Sequence, residues 1–126
     1  MNHTAGKILV VDDDDMFRSM LSATLRSSGY EVIEAENGKV AMKMVHDYPV
    51  DLVVTDLIMP EQEGIETIKE IKRFYPDMKI IAVSGGMRGG SMDFLPIAEY
   101  MGAARSFKKP IDRKAFLAAV AELISA

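Results

Sequence analysis

The sequence predicts an α/β fold: a doubly wound, five-stranded parallel sheet with five helices on its two faces. Short runs rich in Val and Ile alternate with longer segments of helical spacing, which is typical of βα units in series. The runs are apolar at most positions, as expected of strands that are buried on both faces. With 126 residues, of which 48% are hydrophobic, the chain has enough apolar material for one sizeable core.

The predicted strands coincide with the apolar runs. They cover Lys7–Val11, Glu31–Ala35, Leu52–Thr55, Lys79–Ser84 and Ala104–Lys108. A segment of helical spacing follows each one, so we expect parallel pairing through right-handed crossovers.

The first predicted helix begins at the N-cap Asp15 and ends at Gly29, which tolerates a positive φ. Its apolar residues lie on one stripe, for which we expect core packing. The stripe contains Phe17, Met20, Leu21 and Leu25.

The remaining helices follow the later strands. The fourth is predicted between Ser91 and Met101, where Pro96 must lie in the first turn or kink the helix. Apolar residues at helical spacing place the second, third and fifth helices around Ala41–Tyr48, Ile65–Ile71 and Phe116–Ile124.

Composition excludes several functional classes. The absence of cysteine excludes disulfide scaffolds, thiolate metal sites and cysteine nucleophiles, and it fits a cytoplasmic protein. A net charge of −4 provides no basic field for nucleic acid. The longest apolar runs, such as Ile8–Val11, are far too short to span a membrane. We therefore expect neither nucleic acid nor membrane as a partner of this domain.

Charged and hydroxyl side chains stand where the predicted strands end. Asp12 and Asp13 follow the first strand, Asp56 follows the third, Ser84 ends the fourth and Lys109 follows the fifth. In a doubly wound sheet these carboxyl ends share one edge, which is where ligands bind. We therefore expect the five side chains to lie together.

Converging carboxylates repel one another unless a cation is bound between them. Oxygen ligands of this kind suit Mg²⁺. A lysine and a hydroxyl on the other side would then bind an anion. Such a site is arranged for phosphoryl transfer to the carboxylate of Asp56.

Four segments resemble the signatures of response-regulator receiver domains, the phospho-accepting modules of two-component signalling. They are Ile8–Asp13, Asp51–Pro60 with Gly64, Ile80–Ser84 and Lys109-Pro110. The resemblance covers essentially the whole chain. It implies a single receiver domain over residues 1–126 with a flavodoxin-like strand order of 2-1-3-4-5.

The resemblance also implies residue roles. Asp56 would be the phosphoacceptor, and Mg²⁺ would be held by Asp12, Asp13, Asp56 and the backbone carbonyl of Ile58. Ser84 and Lys109 would bind the phosphoryl oxygens. The Lys109–Pro110 peptide would be cis, since only an X–Pro bond tolerates that form at small cost.

Partners follow from the same resemblance. A histidine kinase or phosphotransfer protein would supply the phosphoryl group. A face formed by the fourth helix, fifth strand and fifth helix would change shape for an unidentified downstream protein, and phosphorylation could promote a homodimer. The domain would not be an enzyme beyond promoting its own phosphorylation and dephosphorylation.

Two departures from the family pattern stand out. Receivers commonly carry Tyr or Phe three residues before the lysine, where this chain has Ser106; strand alternation sends Phe107 to the opposite side, into the core. The loop over residues 84–91 holds four glycines, and we expect it to be a mobile segment that a phosphoryl group would order.

Three alternatives compete with this interpretation. A phosphatase of the haloacid-dehalogenase type needs a second Asp where this chain has Ile58, and a flavin- or nucleotide-binding module needs a phosphate cradle instead of acids after the first strand. The third alternative is a degenerate receiver that only binds proteins. It stays open because Ser106 stands at the usual aromatic position, but it ranks below the main interpretation because the acid pair, Asp56, Ser84 and Lys109 are all present. We interpret His3 and His46 as surface residues without a metal.

Overall fold

The computed structural model describes residues 6–57, 63–85 and 95–125, and within these ranges strands and helices alternate. The strands are β1 (Lys7–Val11), β2 (Glu31–Ala35), β3 (Leu52–Asp56), β4 (Lys79–Ser84) and β5 (Arg105–Lys108). The helices are α1 (Asp15–Ser27), α2 (Gly38–Asp47), α3 (Glu63–Phe74), α4 (Leu95–Met101) and α5 (Arg113–Ser125). No helix in these ranges combines the length and apolar character that crossing a bilayer requires.

The strands form one parallel sheet in the order β2-β1-β3-β4-β5. This confirms both the doubly wound fold class and the strand order that the family resemblance implied. Winding reverses at β1, since β2 lies on one side of it and β3 on the other. The registers Val11↔Thr55, Asp56↔Val83 and Ser84↔Lys108 bring the carboxyl ends of four strands nearly level.

Alternation along each strand divides the core between two helical layers. In β1, Ile8 and Val10 pack with residues of α1 and α5, whereas Leu9 and Val11 pack with residues of α2, α3 and α4. All four of these β1 side chains are buried. Burial on both faces explains why the strands read as continuous apolar runs in the sequence.

The strands match their predicted bounds to within one residue, since β3 ends at Asp56 and β5 begins at Arg105. The start predicted for the fourth helix, at Ser91, lies outside the described residues. The first helix differs at its N-cap. Its N-cap is Asp14, whose Oδ1 accepts hydrogen bonds from the backbone N–H groups of Met16 and Phe17 at 3.0 and 3.2 Å. The prediction of Asp15 was wrong because either acid suits the sequence pattern, and only backbone geometry selects the residue that turns out of the helix. Gly29 has φ +97°, as its predicted role requires.

The predicted burial of Met20 is also wrong, since 51% of this side chain is exposed. The buried stripe of α1 follows Leu21 and Leu25 instead. Phe107 does pack against the core as predicted, with its ring edge-on to Phe116. In α4, Pro96 is the second residue and therefore lies in the first turn.

Candidate functional site

The carboxyl ends of β1, β3, β4 and β5 hold the predicted site residues. Asp12 follows β1, Asp56 ends β3, Ser84 ends β4 and Lys109 follows β5. Asp12, Asp56 and Ser84 are buried, with at most 4% of each residue exposed. The backbone N–H of Lys109 donates to the carbonyl oxygen of Ser84 at 2.8 Å, which fixes the fifth strand's end beside the fourth.

Three carboxylates converge at this edge. Asp12, Asp13 and Asp56 each offer an oxygen, and these oxygens all lie within 4.8 Å of one another. Two of the residues are buried and Asp13 is exposed, so the cluster opens to solvent on one side. An all-oxygen set of this charge suits a hard divalent cation. Ile58, which the resemblance assigned a ligand carbonyl, lies outside the described residues, as do residues 86–91 and His3.

Asp12 is held by contacts on both carboxylate oxygens. Its Oδ1 accepts from the backbone N–H of Asp14 at 2.8 Å, and its Oδ2 accepts from Lys109 Nζ at 3.1 Å. Burial raises the pKa of Asp12 above its usual value, although both of these donors oppose the shift; the neighbouring charge of Asp13 raises it further. Ionising Asp12 in the folded protein therefore costs free energy, and a bound cation would offset that cost.

Lys109 lies between the acids and an aromatic ring. Its Nζ is 3.1 Å from Asp12 Oδ2 and 3.8 Å from Asp56 Oδ2. The same nitrogen lies 3.8 Å from the centroid of the Phe17 ring. The Lys109–Pro110 peptide is cis, as the resemblance implied. The ammonium group of Lys109 is therefore close to both carboxylates. An anion that binds beside Asp56 would be attracted to the same positive charge.

Gly64 sets how closely α3 approaches the end of β3. A Cβ at this position would lie 2.2 Å from the backbone oxygen of Asp56 and 2.6 Å from the Cα of Leu57. Such separations are too short for any side chain, so only glycine allows this contact. The glycine of the sequence motif therefore positions the backbone that carries Asp56.

Sequence reasoning missed Arg18 as part of the site's support. Its guanidinium donates to the carbonyl oxygen of Asp12 at 2.7 Å, to Glu34 Oε1 at 3.0 Å and to Asp15 Oδ1 at 2.6 Å. These bonds join α1, the end of β1 and β2. In the sequence, an arginine in the first turn of a helix after an acidic loop only weakly indicates a structural role, because most arginines at such positions are solvated.

Sequence reasoning also assigned Phe17 only to the core. Phe17 does pack partly against the layer of α1 and α5, but the face of its ring meets Lys109. The two residues are far apart in sequence, so no local pattern links them. His46, as predicted, is exposed; its Nδ1 forms a hydrogen bond of 2.5 Å with the Tyr75 hydroxyl.

Ser106 occupies the position where the family commonly has an aromatic residue. Its hydroxyl donates to Glu99 Oε2 at 2.5 Å, joining β5 to α4. Beside it, Arg105 forms an ion pair of 2.6 Å with Glu122 of α5. Polar contacts therefore connect all three elements of the face that the resemblance assigned to a downstream partner.

Curated proteins with similar sequences include bacterial transcriptional regulators and a chemotaxis protein. The chain is 32% identical to the transcriptional regulatory protein GlrR of Escherichia coli over 120 residues, which cover 95% of this chain and 26% of that protein. It therefore spans about a quarter of the length of that relative. The chain is also 36% identical to the chemotaxis protein CheY of Thermotoga maritima over 99 residues, covering 71% of this chain and 82% of that one.

Solved structures share the fold across almost the entire chain. A putative response regulator from Chloroflexus aurantiacus superposes with a TM-score of 0.88 at 23% identity, covering 98% of this chain and 100% of that one. The response regulator TrrA from Thermotoga maritima, solved in complex with Mg²⁺ and BeF, gives a TM-score of 0.82 at 30% identity. That alignment covers 94% of this chain and 98% of TrrA.

The family model for the response regulator receiver domain matches residues 8–121, a range that includes every element from β1 to most of α5. All the acids, the hydroxyl and the lysine at the carboxyl edge fall inside this range. The chain belongs to the response regulator receiver domain family, the receivers of two-component signalling.

Proposed function

We propose that Asp56 accepts a phosphoryl group from a histidine kinase or phosphotransfer protein, with Mg²⁺ held by Asp12, Asp13 and Asp56. The observation that carries this proposal is the cluster of three carboxylate oxygens within 4.8 Å, beside the ammonium group of Lys109. The cluster has the charge and ligand type that Mg²⁺ prefers. The Mg²⁺–BeF complex of the relative TrrA supports the same assignment.

The proposed reaction transfers a PO₃ unit between two nucleophiles. A carboxylate oxygen of Asp56 attacks phosphorus in line, forming an acyl phosphate O–P bond while the P–N bond of the donor phosphohistidine breaks. The leaving imidazole keeps the electron pair of that bond and takes up a proton. Bound Mg²⁺ would supply electrostatic stabilisation of the charge on the phosphoryl oxygens.

The chain's own residues prepare this transfer. Lys109 Nζ is already 3.8 Å from Asp56 Oδ2, so its positive charge is in place before the phosphoryl group arrives. Ser84 lies at the end of the neighbouring strand, paired in register with Lys108. We assign Lys109 and the Ser84 hydroxyl to the phosphoryl oxygens, and the backbone carbonyl of Ile58 to the metal. The domain would promote only its own phosphorylation and dephosphorylation and would act as a switch rather than an enzyme.

Partner binding completes the proposal. Phosphorylation would alter the face formed by α4, β5 and α5 for a downstream protein, and it could also promote a homodimer. A cytoplasmic location fits the lack of cysteine. The net charge of −4 argues against direct binding of nucleic acid by this domain.

A degenerate receiver that only binds proteins is the second candidate. It stays open because Ser106, whose hydroxyl donates to Glu99, stands at the position of the usual aromatic residue. Such a protein would keep the fold and the interaction face without accepting a phosphoryl group.

One experiment separates the two candidates. The protein is incubated with Mg²⁺ and acetyl phosphate, and its intact mass is measured for the wild type, Asp56→Asn and the control Asp77→Asn. Asp77 is an exposed acid in the turn before β4, at the opposite edge of the sheet. A single phosphoryl adduct on the wild type and on Asp77→Asn, with none on Asp56→Asn, supports phosphorylation. No adduct on any of the three favours the degenerate receiver.

A further inference from the structure

The ammonium group of Lys109 lies over the face of an aromatic ring. The distance from Lys109 Nζ to the centroid of Phe17 is 3.8 Å, and only 19% of the lysine side chain is exposed. A cation over a ring face is attracted by the quadrupole of the ring, and partial burial strengthens the attraction because less water competes. The contact is therefore more than apolar packing of the lysine stem.

The other sides of the ammonium group meet the acids of the site. Asp12 Oδ2 is 3.1 Å away and Asp56 Oδ2 is 3.8 Å away. Further down the side chain, Cδ of Lys109 lies 3.7 Å from where a Cβ on Gly85 would stand, so the stem passes close to that backbone. The lysine, which has many rotamers in solution, is thus confined by two carboxylates and a ring.

The ring itself is fixed by the start of α1. The side chain of Asp14 accepts from the backbone N–H groups of Met16 and Phe17, which holds the first turn in place. Phe17 then packs partly against the core layer that contains Ile8 and Val10 of β1. The cap and the core together aim the ring at the carboxyl edge of the sheet.

We propose that Phe17 is a positioning residue that holds the ammonium group of Lys109 beside Asp56, ready to bind a phosphoryl group. This inference rests on the proposed function, because it concerns the same anion site. A leucine at this position would preserve apolar volume without the quadrupole, whereas a tyrosine would preserve the ring face. Comparing the two substitutions therefore distinguishes a role of Phe17 in positioning Lys109 from a role in core packing alone.

The first measurement is the affinity for a phosphoryl mimic. Beryllium fluoride is titrated into Mg²⁺-saturated protein, with binding followed by NMR, for wild type, Phe17→Leu, Phe17→Tyr and the control Phe74→Leu. Phe74 is an exposed phenylalanine that also has an arginine over its ring, and it lies at the end of α3, away from the site. We expect Phe17→Leu to weaken binding by about 3- to 10-fold, the effect of a partly desolvated cation–π contact, and the other variants to bind as the wild type does.

The second measurement detects the contact without any ligand. The ring current of Phe17 moves the Lys109 Hε resonances to lower frequency in the wild type and in Phe17→Tyr, and the shift disappears in Phe17→Leu. This readout does not depend on global stability, which urea unfolding of each variant reports separately.

The two measurements also separate failure of this inference from failure of the proposed function. If the wild type binds no beryllium fluoride, the anion site itself is contradicted, while the Lys109 resonances still report the contact. If the wild type binds but Phe17→Leu binds equally well, the positioning role is overturned. Weaker binding by Phe17→Leu with unchanged Lys109 resonances would overturn it too, because the ring would then act through another group.

Discussion

At the scale of single residues, Asp12 carries a conflict between burial and charge. The residue is 2% exposed, yet the proposed site requires it to be ionised. Lys109 and the backbone N–H of Asp14 reduce this cost without removing it, since the pKa of Asp12 remains raised. Binding sites commonly keep such groups because a ligand offsets the cost.

The raised pKa sets the sign of a pH effect on the metal-free protein. Between the usual carboxyl pKa and the raised value, the folded chain binds more protons than the unfolded chain, so stability falls as pH rises through this window. Asp12→Asn keeps an oxygen for the Asp14 N–H and removes the charge. We expect the variant to lack this part of the pH dependence and to be more stable than the wild type at neutral pH without metal.

Urea unfolding in the presence of a chelator, at a series of pH values, gives the difference in the free energy of unfolding between wild type and Asp12→Asn. Asp77→Asn is the control for the loss of any one negative charge. A difference between wild type and Asp12→Asn that does not change with pH would contradict the assigned cost of ionising Asp12.

Gly64 gives a second test at this scale. Gly64→Ala places a Cβ 2.2 Å from the backbone oxygen of Asp56, so β3 and α3 must move apart. We expect a loss of about 1–3 kcal/mol in the free energy of unfolding, the usual range for overpacking, together with weaker Mg²⁺ binding. Gly85→Ala is the matched control, since its Cβ would lie at an ordinary 3.7 Å from Lys109 Cδ. Equal stability of the two variants would contradict the close approach of α3.

At the scale of elements, the face of α4, β5 and α5 is connected by polar side chains. Ser106 of β5 bonds to Glu99 of α4, and Arg105 of β5 pairs with Glu122 of α5. Under the proposed function, a change at the site would reach a partner through the placement of α4, because Ser106 stands where receivers commonly carry an aromatic ring that rotates.

Breaking the Ser106–Glu99 bond therefore loosens α4 selectively. In Ser106→Ala we expect faster amide hydrogen exchange within α4 and a decrease of about 1 kcal/mol or less in global stability, the net value of one hydrogen bond. Exchange in α1 and α2 is the internal control, and Asp47→Asn, which breaks the exposed pair with Lys43, is the control variant. Unchanged exchange in α4 would show that this bond does not hold the helix.

Sequence patterns were sufficient to predict the strands, the helices and the acids of the site, and the reason is physical. Strands buried on both faces must be apolar, and the carboxyl ends of parallel strands must share an edge, so Asp12, Asp56 and Lys109 were brought together by topology alone. The N-cap at Asp14, the exposure of Met20 and the ring of Phe17 under Lys109 depend on backbone angles and side-chain directions. Local periodicity does not specify these.

At the scale of the whole molecule, the strand order places the acidic loop that follows β1 next to the end of β3. Lys109, which follows β5, reaches the same loop through its side chain, with Nζ 3.1 Å from Asp12 Oδ2. A cation bound there would join segments that are far apart in sequence. Ligands that bind only the folded state stabilise it in proportion to the logarithm of their concentration. The metal should therefore stabilise the entire fold rather than one loop.

We expect Mg²⁺ at 100 times its dissociation constant to raise the free energy of unfolding of the wild type by about 2.7 kcal/mol. Asp13→Asn should show a smaller gain at the same concentration, because one ligand oxygen of the cluster is exchanged for a neutral amide. Sodium chloride at equal ionic strength controls for screening of the net charge. The same gain with sodium as with magnesium would contradict a specific site.

The most direct test of the central claim is to locate the phosphoryl group. After incubation with Mg²⁺ and acetyl phosphate, reduction with borohydride converts an aspartyl phosphate to homoserine, which peptide sequencing by mass spectrometry assigns to a position. The proposed function predicts homoserine at residue 56 alone, and only when Mg²⁺ is present. Homoserine at another aspartate, or equal conversion of residue 56 in a chelator, would contradict it.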